Sequence, residues 1–424
     1  MMQKILILGS GGREHAFAWK LKQSNLCKSI FIAPGNAGTA QIGTNVALDV
    51  CDFKGIRSFL LSNDIAMLVV GPEVPLVEGI YDFIKGSEEL KHIVVIGPSA
   101  EGAQLEGSKA FAKEFMIENN IPTAAYLEVT NENLEAGLER IDASDVPIVL
   151  KADGLAAGKG VLILNDRKEA KNALKDMLGG KFGQAGARVV IEDFLDGMEF
   201  SVFVLTDGHH YKILPIAKDY KRIGEGDVGL NTGGMGAVSP VSFVDDALMQ
   251  KVENQIIIPT ISGIKKRGII YNGFVFFGLI VVKGNPYVIE YNCRMGDPET
   301  EAVLPRLESD LLSLFLALEK GALKEQKIEI SSDFAATTVL VSGGYPEAYE
   351  KGFAVNNLEE GNNCLIFHAG TKESENGILT NGGRVFAVTG MGSNQDAALK
   401  VSQAVAAKVT FEKKYYRRDI GFDL

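Results

Sequence analysis

Glu290, Asn292 and Arg294 fall two apart at the end of a strand predicted over 286–292, in the stretch Val288-Ile289-Glu290-Tyr291-Asn292-Cys293-Arg294-Met295-Gly296-Asp297-Pro298-Glu299. Side chains alternate across a strand, so these three share one face, while Tyr291 and Cys293 take the other as core residues. A carboxylate and an amide oxygen at that spacing, followed by a guanidinium, can hold a hard cation and steady a phosphate beside it. Mg²⁺ takes oxygen ligands, usually one or two from protein and the rest from substrate phosphates and water. Taken alone, the pattern equally describes a sheet with one solvated face.

The neighbouring chain adds cations. Lys151 and Lys159 straddle a loop of small residues, Ala152 to Gly160, between strands predicted over 147–151 and 161–164. That arrangement suits a flap folding over a polyphosphate. It is not a Walker A loop, which would continue into a helix after its lysine. Lys109 sits in the first turn of a helix predicted over 109–119, where a cation opposes the helix dipole, so it is read either as ligand-directed or as chance placement. A buried strand from Val189 breaks at Gly197 and resumes at Phe200. The break exposes backbone groups that an adenine edge can use, and Glu199 beside it can reach ribose hydroxyls; a plain strand connection remains the alternative.

These residues need elements to position them. The apolar run 4–8, closed by Gly9-Ser10-Gly11-Gly12 and followed by a helical pattern, is how a doubly wound α/β domain opens. Further buried strands at 30–33, 67–70 and 93–96, with a helix over 76–85, extend a parallel sheet to about Gly102. A dinucleotide fingerprint would need glycine at position 14, where Glu14 would repel a pyrophosphate, so hydride transfer is disfavoured. The turn is then either a cradle for one phosphate or merely tight. Residues 224–236 form a glycine-rich loop holding Asn231 and Thr232, a length that points to function, with Asp219, Lys221 and Arg222 just before it. A pair of buried strands over 268–282 leads to the Glu290 strand. After a helix over 310–320 and a polar link at 324–330, strands at 335–341, 364–368 and 384–389 and a helix over 395–411 make a small α+β unit. The expected class is a multidomain α/β and α+β chain: a doubly wound parallel-sheet domain (1–102), a two-lobed central domain (103–325, flap lobe about 123–192) and a small, mostly β C-terminal domain (326–424).

Composition narrows the partners. The 424 residues are 46% hydrophobic and 23% charged, ordinary globular material long enough for several cores. A net charge of -11 argues against nucleic acid or an anionic membrane, though not against small anions met by a local cationic pocket. Cys27, Cys51, Cys293 and Cys364 are scattered without metal spacing, and no segment approaches the roughly 20 apolar residues of a spanning helix. A cytoplasmic protein is expected. No convincing Ser–His–Asp or Cys–His set offers a nucleophile.

The stretches LILGSGGREHAFAWKL, GPEVPLVEGI, LEGSKAFAKEF, LKADGLAAGKGVLI, VVIEDFLDGMEFSVF, NTGGMGAVSP, VIEYNCRMGDPET and VSGGYPEAYEKG run in that order from Leu6 to Gly352. In this wording and order the chain resembles the glycinamide ribonucleotide synthetase family of ATP-grasp enzymes. The resemblance implies a central two-lobed ATP-grasp domain and ligation of glycine to 5-phosphoribosylamine, with ATP and Mg²⁺, or Mn²⁺ in its place. It assigns Lys109 and Lys151 to ATP phosphates and the Gly158-Lys159-Gly160 flap to covering them. Glu192, Phe194 and Leu195 would form the adenine hinge, with Glu199 on the ribose. Glu290 and Asn292 would bind the metal, Arg294 would stabilise acyl-phosphate oxygens, and Asp297 would orient the glycine ammonium or the attacking amine. Gly9, Gly11, Gly12 and Asp219, with Asn231, Thr232, Gly233, Gly234, Met235 and Gly236, are candidates for the remaining substrate contacts, the glycine turn and the 231–236 loop for the phosphoribosyl group. A monomer is expected, with a dimer as the alternative. Departures from the family pattern are Gly278, where many relatives carry a second metal carboxylate, Tyr220, Leu230 and Met295. The competing readings are another ATP-grasp carboxylate–amine ligase and a non-catalytic ATP sensor.

Overall fold

The computed structural model describes residues 2–155, 160–181 and 183–424. The chain opens with β1 (Gln3–Gly9), β2 (Cys27–Pro34), the short β3 (Thr44–Asn45), β4 (Met67–Val70) and β5 (Val94–Pro98), all parallel in the order β5-β4-β1-β2-β3. Their apolar runs follow from burial on both faces. Leu6 and Leu8 enter one core while Ile5 and Ile7 enter another.

The middle of the chain builds a four-stranded antiparallel sheet in the order β6-β9-β7-β8, from β6 (Tyr126–Val129), β7 (Ile148–Ala152), β8 (Val161–Leu164) and β9 (Val189–Asp193). Helices Leu134–Ala143 and Arg167–Asp176 cover one face, where Ile148, Leu150, Val189 and Ile191 pack on Ile141 and Leu174. Alternation sends Lys151 and Glu192 to the helix-free face. β10 (Met198–Thr206) and β11 (Tyr211–Ile213) follow, then β12 (Lys218–Asp219), a hairpin of β13 (Arg222–Gly224) and β14 (Val228–Asn231), and β15 (Gly236–Ser239). The hairpin occupies much of the stretch that reads as a structureless glycine loop. It turns at Gly226 and Asp227, both with positive φ.

Residues 268–282 hold one strand, β16 (Tyr271–Val282), rather than the expected pair. Neither interior glycine breaks it. At Gly273 the backbone runs close to Gly97, and Gly278 lies opposite Glu290 on β17 (Asn285–Asn292). The first residues of β16 pair with β5 and the rest with β10 and β17, so β16 joins the N-terminal parallel sheet to the central one. The joined sheet separates the two main cores: Val202, Val204, Val275 and Phe277 face one, Phe203, Leu205, Phe274 and Phe276 the other.

β18 (Phe334–Val341), β19 (Cys364–His368), the hairpin β20 (Thr371–Ser374) and β21 (Gly377–Thr380), and β22 (Arg384–Gly392) complete the chain. The C-terminal sheet runs β12-β15-β18-β22-β19, so two of its five strands come from the middle of the sequence. Sheet continuity therefore crosses both expected boundaries, near 102 and near 325. Helix Gln395–Lys408 lies on β22 where Gly390 offers no side chain; a Cβ there would overlap the Ala398 carbonyl and crowd the Ser402 amide. Gly390→Ala is expected to lower unfolding free energy by about 1–3 kcal/mol, as overpacking does, read as a shift in denaturant midpoint.

Candidate functional site

The metal-strand candidates owe their placement to an irregularity. The β16–β17 register pairs Gly278 with Glu290 but Leu279 with Val288, so Ile289 is an extra residue. A bulge of this kind re-aims side chains and leaves a backbone group unpaired. Val288 and Tyr291 both enter the same core, which strict alternation forbids for residues three apart, and Lys151 Nζ donates to the Ile289 carbonyl at 3.3 Å. Glu290 is half-buried, Asn292 buried, and among the described residues Glu290 makes no hydrogen bond or close ion pair. No three His, Cys, Asp or Glu residues converge as a metal cage among the described residues. The hard oxygens of Glu290 and Asn292 therefore fit an Mg²⁺ completed by substrate oxygens. A Cβ on Gly278 would lie 3.0 Å from Glu290 Cγ, so a residue there would stand directly beside the carboxylate.

Above this strand lies the helix-free face of the four-stranded sheet. Lys151 and Lys113 share one buried carboxylate, Glu192, at 3.0 and 3.2 Å. Burial pushes Lys113 down to about 8 despite Glu192, while the two ammoniums hold Glu192 below the usual range against its own burial. Lys113 escaped the sequence reading, although it lies one helical turn after Lys109. Ser108 caps that helix, and Ser108 Oγ and the Ala110 amide both donate to Asp153 Oδ1, at 3.0 and 2.8 Å. Lys109 Nζ reaches the Gly154 carbonyl at 3.3 Å; burial lowers its affinity for a proton, partly offset by Glu290. Lys109 thus lies near enough to feel the Glu290 charge, and Lys151 is bonded to the carbonyl of the residue before it. Of the flap, Gly160 continues the β7–β8 pairing by accepting from the Ala152 amide; Gly158 and Lys159 lie outside the described residues. Phe194 is exposed and Leu195 half-buried in the break between β9 and β10, whereas Glu192 spends its side chain on the lysines and its backbone in the sheet.

Glu199 stands at the start of β10, 3.1 Å from Lys221 Nζ, which also lies 3.8 Å from Asp219. Lys221 holds Glu199 below its usual range, against burial. Burial opposes the charge on Lys221, but Asp219, Glu199 and Glu290 together raise its pKa well above the usual value. Asp219 is pushed up by burial, against the pull of Lys221.

The glycine turn is occupied by its own sequence. The buried Glu14 carboxylate accepts from the Gly11 amide at 2.6 Å and from Arg13 Nε at 2.7 Å, and a Cβ on Gly9 would overlap it. The Gly11 amide is thus committed, which removes one donor from the expected phosphate cradle. A Cβ on Gly12 would overlap Glu301, so that glycine serves close packing. A cavity of about 610 Å³ opens beside the turn, bordered by Ser10, Gly11, Arg13, Pro34, Asp49 and Asp297.

The loop 231–236 departs further from expectation. Thr232 N donates to the Lys221 carbonyl, Gly233 N to Tyr345 Oη, Gly234 N to Thr232 Oγ1 and Met235 N to the Tyr220 carbonyl. Met235 is fully buried in a hydrophobic core and Gly236 pairs with Thr338 within the sheet. Neither Met235 nor Gly236 is available to a substrate, and Asn231 is exposed on β14. The missed signal was the apolar alternation resuming at Met235, which marks a strand entry. Arg294 is likewise engaged: Nη2 donates to Glu106 Oε1 at 2.6 Å and Nε lies 3.4 Å from Glu73. Burial opposes its charge, but Glu106 and Glu73 raise its pKa. Asp297 pairs with Arg384 at 3.0 Å.

Two buried carboxyls follow Asp297. Burial, with Asp219 nearby, pushes Glu299 up to about 8; burial and then Asp297 push Glu301 well above the usual 4.5. Both Glu301 oxygens are buried without a hydrogen-bond partner, so the neutral acid is favoured. A carboxyl raised on folding costs no stability below pH 4.5, where both states hold the proton, and an increasing amount as pH rises above it. Glu301→Gln is therefore expected to match the parent in stability near pH 4. It should gain on the parent by roughly 1 kcal/mol per pH unit above that, measured by urea unfolding at several pH values.

With this geometry in hand, comparison with known proteins is informative. Family models for phosphoribosylglycinamide synthetase match residues 3–106 (N domain), 107–300 (ATP-grasp domain) and 335–423 (C domain). The chain is 44% identical over 423 residues to a phosphoribosylamine–glycine ligase of Pasteurella multocida, covering 99% of this chain and 97% of that protein. It is also 44% identical over 426 residues to that of Escherichia coli, covering 99% and 98%. The crystal structure of the Thermotoga maritima phosphoribosylamine–glycine ligase superposes with a TM-score of 0.85 at 37% identity, covering 98% of this chain and 99% of that one. A biotin carboxylase complex from Campylobacter jejuni shares the fold alone, with a TM-score of 0.76 at 13% identity over 99% of this chain and 94% of that one. Matched in all three segments and along nearly its whole length, the chain belongs to the phosphoribosylglycinamide synthetase family.

Proposed function

We infer that the chain ligates glycine to 5-phosphoribosylamine at the expense of ATP, giving glycinamide ribonucleotide, ADP and phosphate. The observation that carries this reading is the nearness of Lys109 and Lys151 to the Glu290 strand, in a chain of this family. A glycine carboxylate resists an amine because it is anionic and its leaving group would be oxide. Attack of a carboxylate oxygen on the γ-phosphorus breaks the bond to the β-phosphate oxygen and gives glycyl phosphate and ADP. The amine of phosphoribosylamine then attacks the acyl carbon, loses a proton and expels phosphate. No protein nucleophile is consumed, so the residues act by positioning and by neutralising charge.

In this scheme Lys109 and Lys151 bind ATP phosphates, and the backbone at Phe194 and Leu195 meets the adenine edge while Glu199 takes the ribose. Glu290 and Asn292 hold Mg²⁺, or Mn²⁺, which neutralises phosphate charge when bound. Lys151 is already bonded to Glu192, so this lysine reaches a phosphate with its direction fixed. Arg294, oriented by Glu106 and Glu73, faces the acyl-phosphate oxygens, and Asp297 orients the glycine ammonium or the incoming amine. The cavity beside Gly9–Gly12 takes the phosphoribosyl group. We assign the protein to the cytoplasm, acting as a monomer on small molecules; four free cysteines agree with a reducing compartment. No helix among the described residues is long and apolar enough to cross a membrane.

ADP release is the test, with phosphoribosylamine generated in place from ribose 5-phosphate and ammonia. Release should need glycine and the amine together. Glu290→Ala should lower kcat at least about 100-fold, the rate equivalent of a few kcal/mol of lost charge stabilisation. Turnover with a different acid–amine pair would keep the fold and discard this substrate assignment, and ATP binding without turnover would leave a sensor.

A further inference from the structure

We propose that Arg384, contributed by the C-terminal sheet, is the positioning residue for Asp297, and that through it the last hundred residues of the chain take part in substrate binding. The inference rests on the proposed role of Asp297 in orienting an amine. Arg384 is the first residue of β22, and its half-buried guanidinium lies between two loops from elsewhere in the sequence. Nη1 donates to the Gly233 carbonyl at 2.5 Å and to the Asp297 carbonyl at 2.7 Å, while Nη2 pairs with Asp297 Oδ1 at 3.0 Å. One cation therefore grips both the backbone and the side chain of Asp297. Only a planar fork of donors can do this; an ammonium would satisfy part of the set.

The consequence lies in the other carboxylate oxygen. With Oδ1 held by Arg384, Oδ2 is turned toward the glycine turn, where a Cβ on Gly11 would come within 3.0 Å of it. Asp297 borders both the cavity of about 610 Å³ beside that turn and a second of about 310 Å³ that Arg384, Asn36 and Thr371 also line. Its free oxygen thus faces the space shared by the N-terminal turn and the C-terminal loops, where an amine would be met.

The glycine pair of the 231–236 loop gains its explanation here. A Cβ on Gly233 would sit 3.0 Å from Arg384 Cζ, and one on Gly234 would overlap the Pro298 ring. These glycines allow the guanidinium and the 297–298 turn to lie flat on the loop. They serve Arg384 rather than a phosphate.

The experiment compares Arg384→Gln, Arg384→Lys, Asp297→Asn and the double variant Arg384→Gln/Asp297→Asn in the ADP-release assay, alongside thermal melting and the affinity for a non-hydrolysable ATP analogue. Arg384→Gln should lower kcat/KM for phosphoribosylamine about 10- to 100-fold, the range of one lost charge-assisted bond, with ATP-analogue affinity unchanged. Arg384→Lys should fall between parent and Arg384→Gln. The double variant should be no worse than Asp297→Asn alone, because the arginine acts only through the aspartate. Should Arg384→Gln fail to melt cooperatively, Gly233→Ala, which pushes the guanidinium aside, should give a milder loss of the same kind. Unchanged kcat/KM, losses that multiply in the double variant, or an equal loss of ATP affinity would each overturn the proposal. A parent enzyme without amine-dependent ADP release would remove the proposed reaction and this role together, an outcome visible before any variant is made.

Discussion

Lys151 is the point on which the two lobes depend. Its ammonium is buried, and it is bonded at once to Glu192 on its own sheet and to the Ile289 carbonyl on the sheet opposite. Breaking such a contact would strand a charge in a dry interior, at a cost of several kcal/mol. Its benefit is direction more than net stability. The carbonyl exists as a free acceptor only because β17 bulges at Ile289. The same bulge swings Val288 and Tyr291 into one core and leaves Glu290 and Asn292 facing the cleft. One irregular residue therefore fixes the separation of the lysine from the metal-strand carboxylate, and the rest of the site is arranged around that pair.

Charge around the cleft is balanced with little slack. Glu192 is shared by two lysines; Lys221 is shared by Glu199 and Asp219; Arg294 is shared by Glu106 and Glu73. Glu192 with its lysines, and Glu106 with Arg294, have largely given up hydration, so their geometry is set by their partners. In the proposed scheme ATP adds several negative charges, which Lys109 and Lys151 help to offset. Glu290 has no close partner among the described residues, which suits the cation-binding role proposed for it. This division follows from the fold, since Lys151 lies on the sheet facing the Glu290 strand and Lys109 and Lys113 on the helix beside it.

Much of this was legible in the sequence, for a physical reason. Strands buried on both faces read as unbroken apolar runs, so the parallel sheet at the N-terminus and the 189–193 strand were plain. The Glu290-x-Asn292 spacing survived because it lies within two residues of the strand end, beyond the bulge. What sequence could not give were long-range partners. Glu106 on Arg294, Arg384 on Asp297 and Lys113 on Glu192 are separated from their partners by 188, 87 and 79 positions, and no local pattern marks them. Glycine was the most misleading signal. A run such as Asn231-Thr232-Gly233-Gly234-Met235-Gly236 looks like a backbone cradle, yet four of its amides are already bonded within the protein and its glycines yield space to neighbours. Glu14 was half-understood: as a misfit for a dinucleotide it was correctly read, but its use in closing the turn required the fold.

The C-terminal segment is woven into the rest of the chain. Its sheet borrows β12 and β15 from the middle of the chain, so it cannot be a separate module added to a finished enzyme. β12 carries Asp219, and β15 follows directly on the glycine loop that Arg384 grips. Pulling this sheet away would free Arg384, release Asp297 and open the smaller cavity that the C-terminal loops line. The placement of Asp297 is thereby tied to the same hydrogen-bond ladder that builds the C-terminal sheet. In the proposed scheme the residues assigned to ATP precede Glu290 in the chain and Asp297, assigned to the amine, follows it, so the strand end links the two sets.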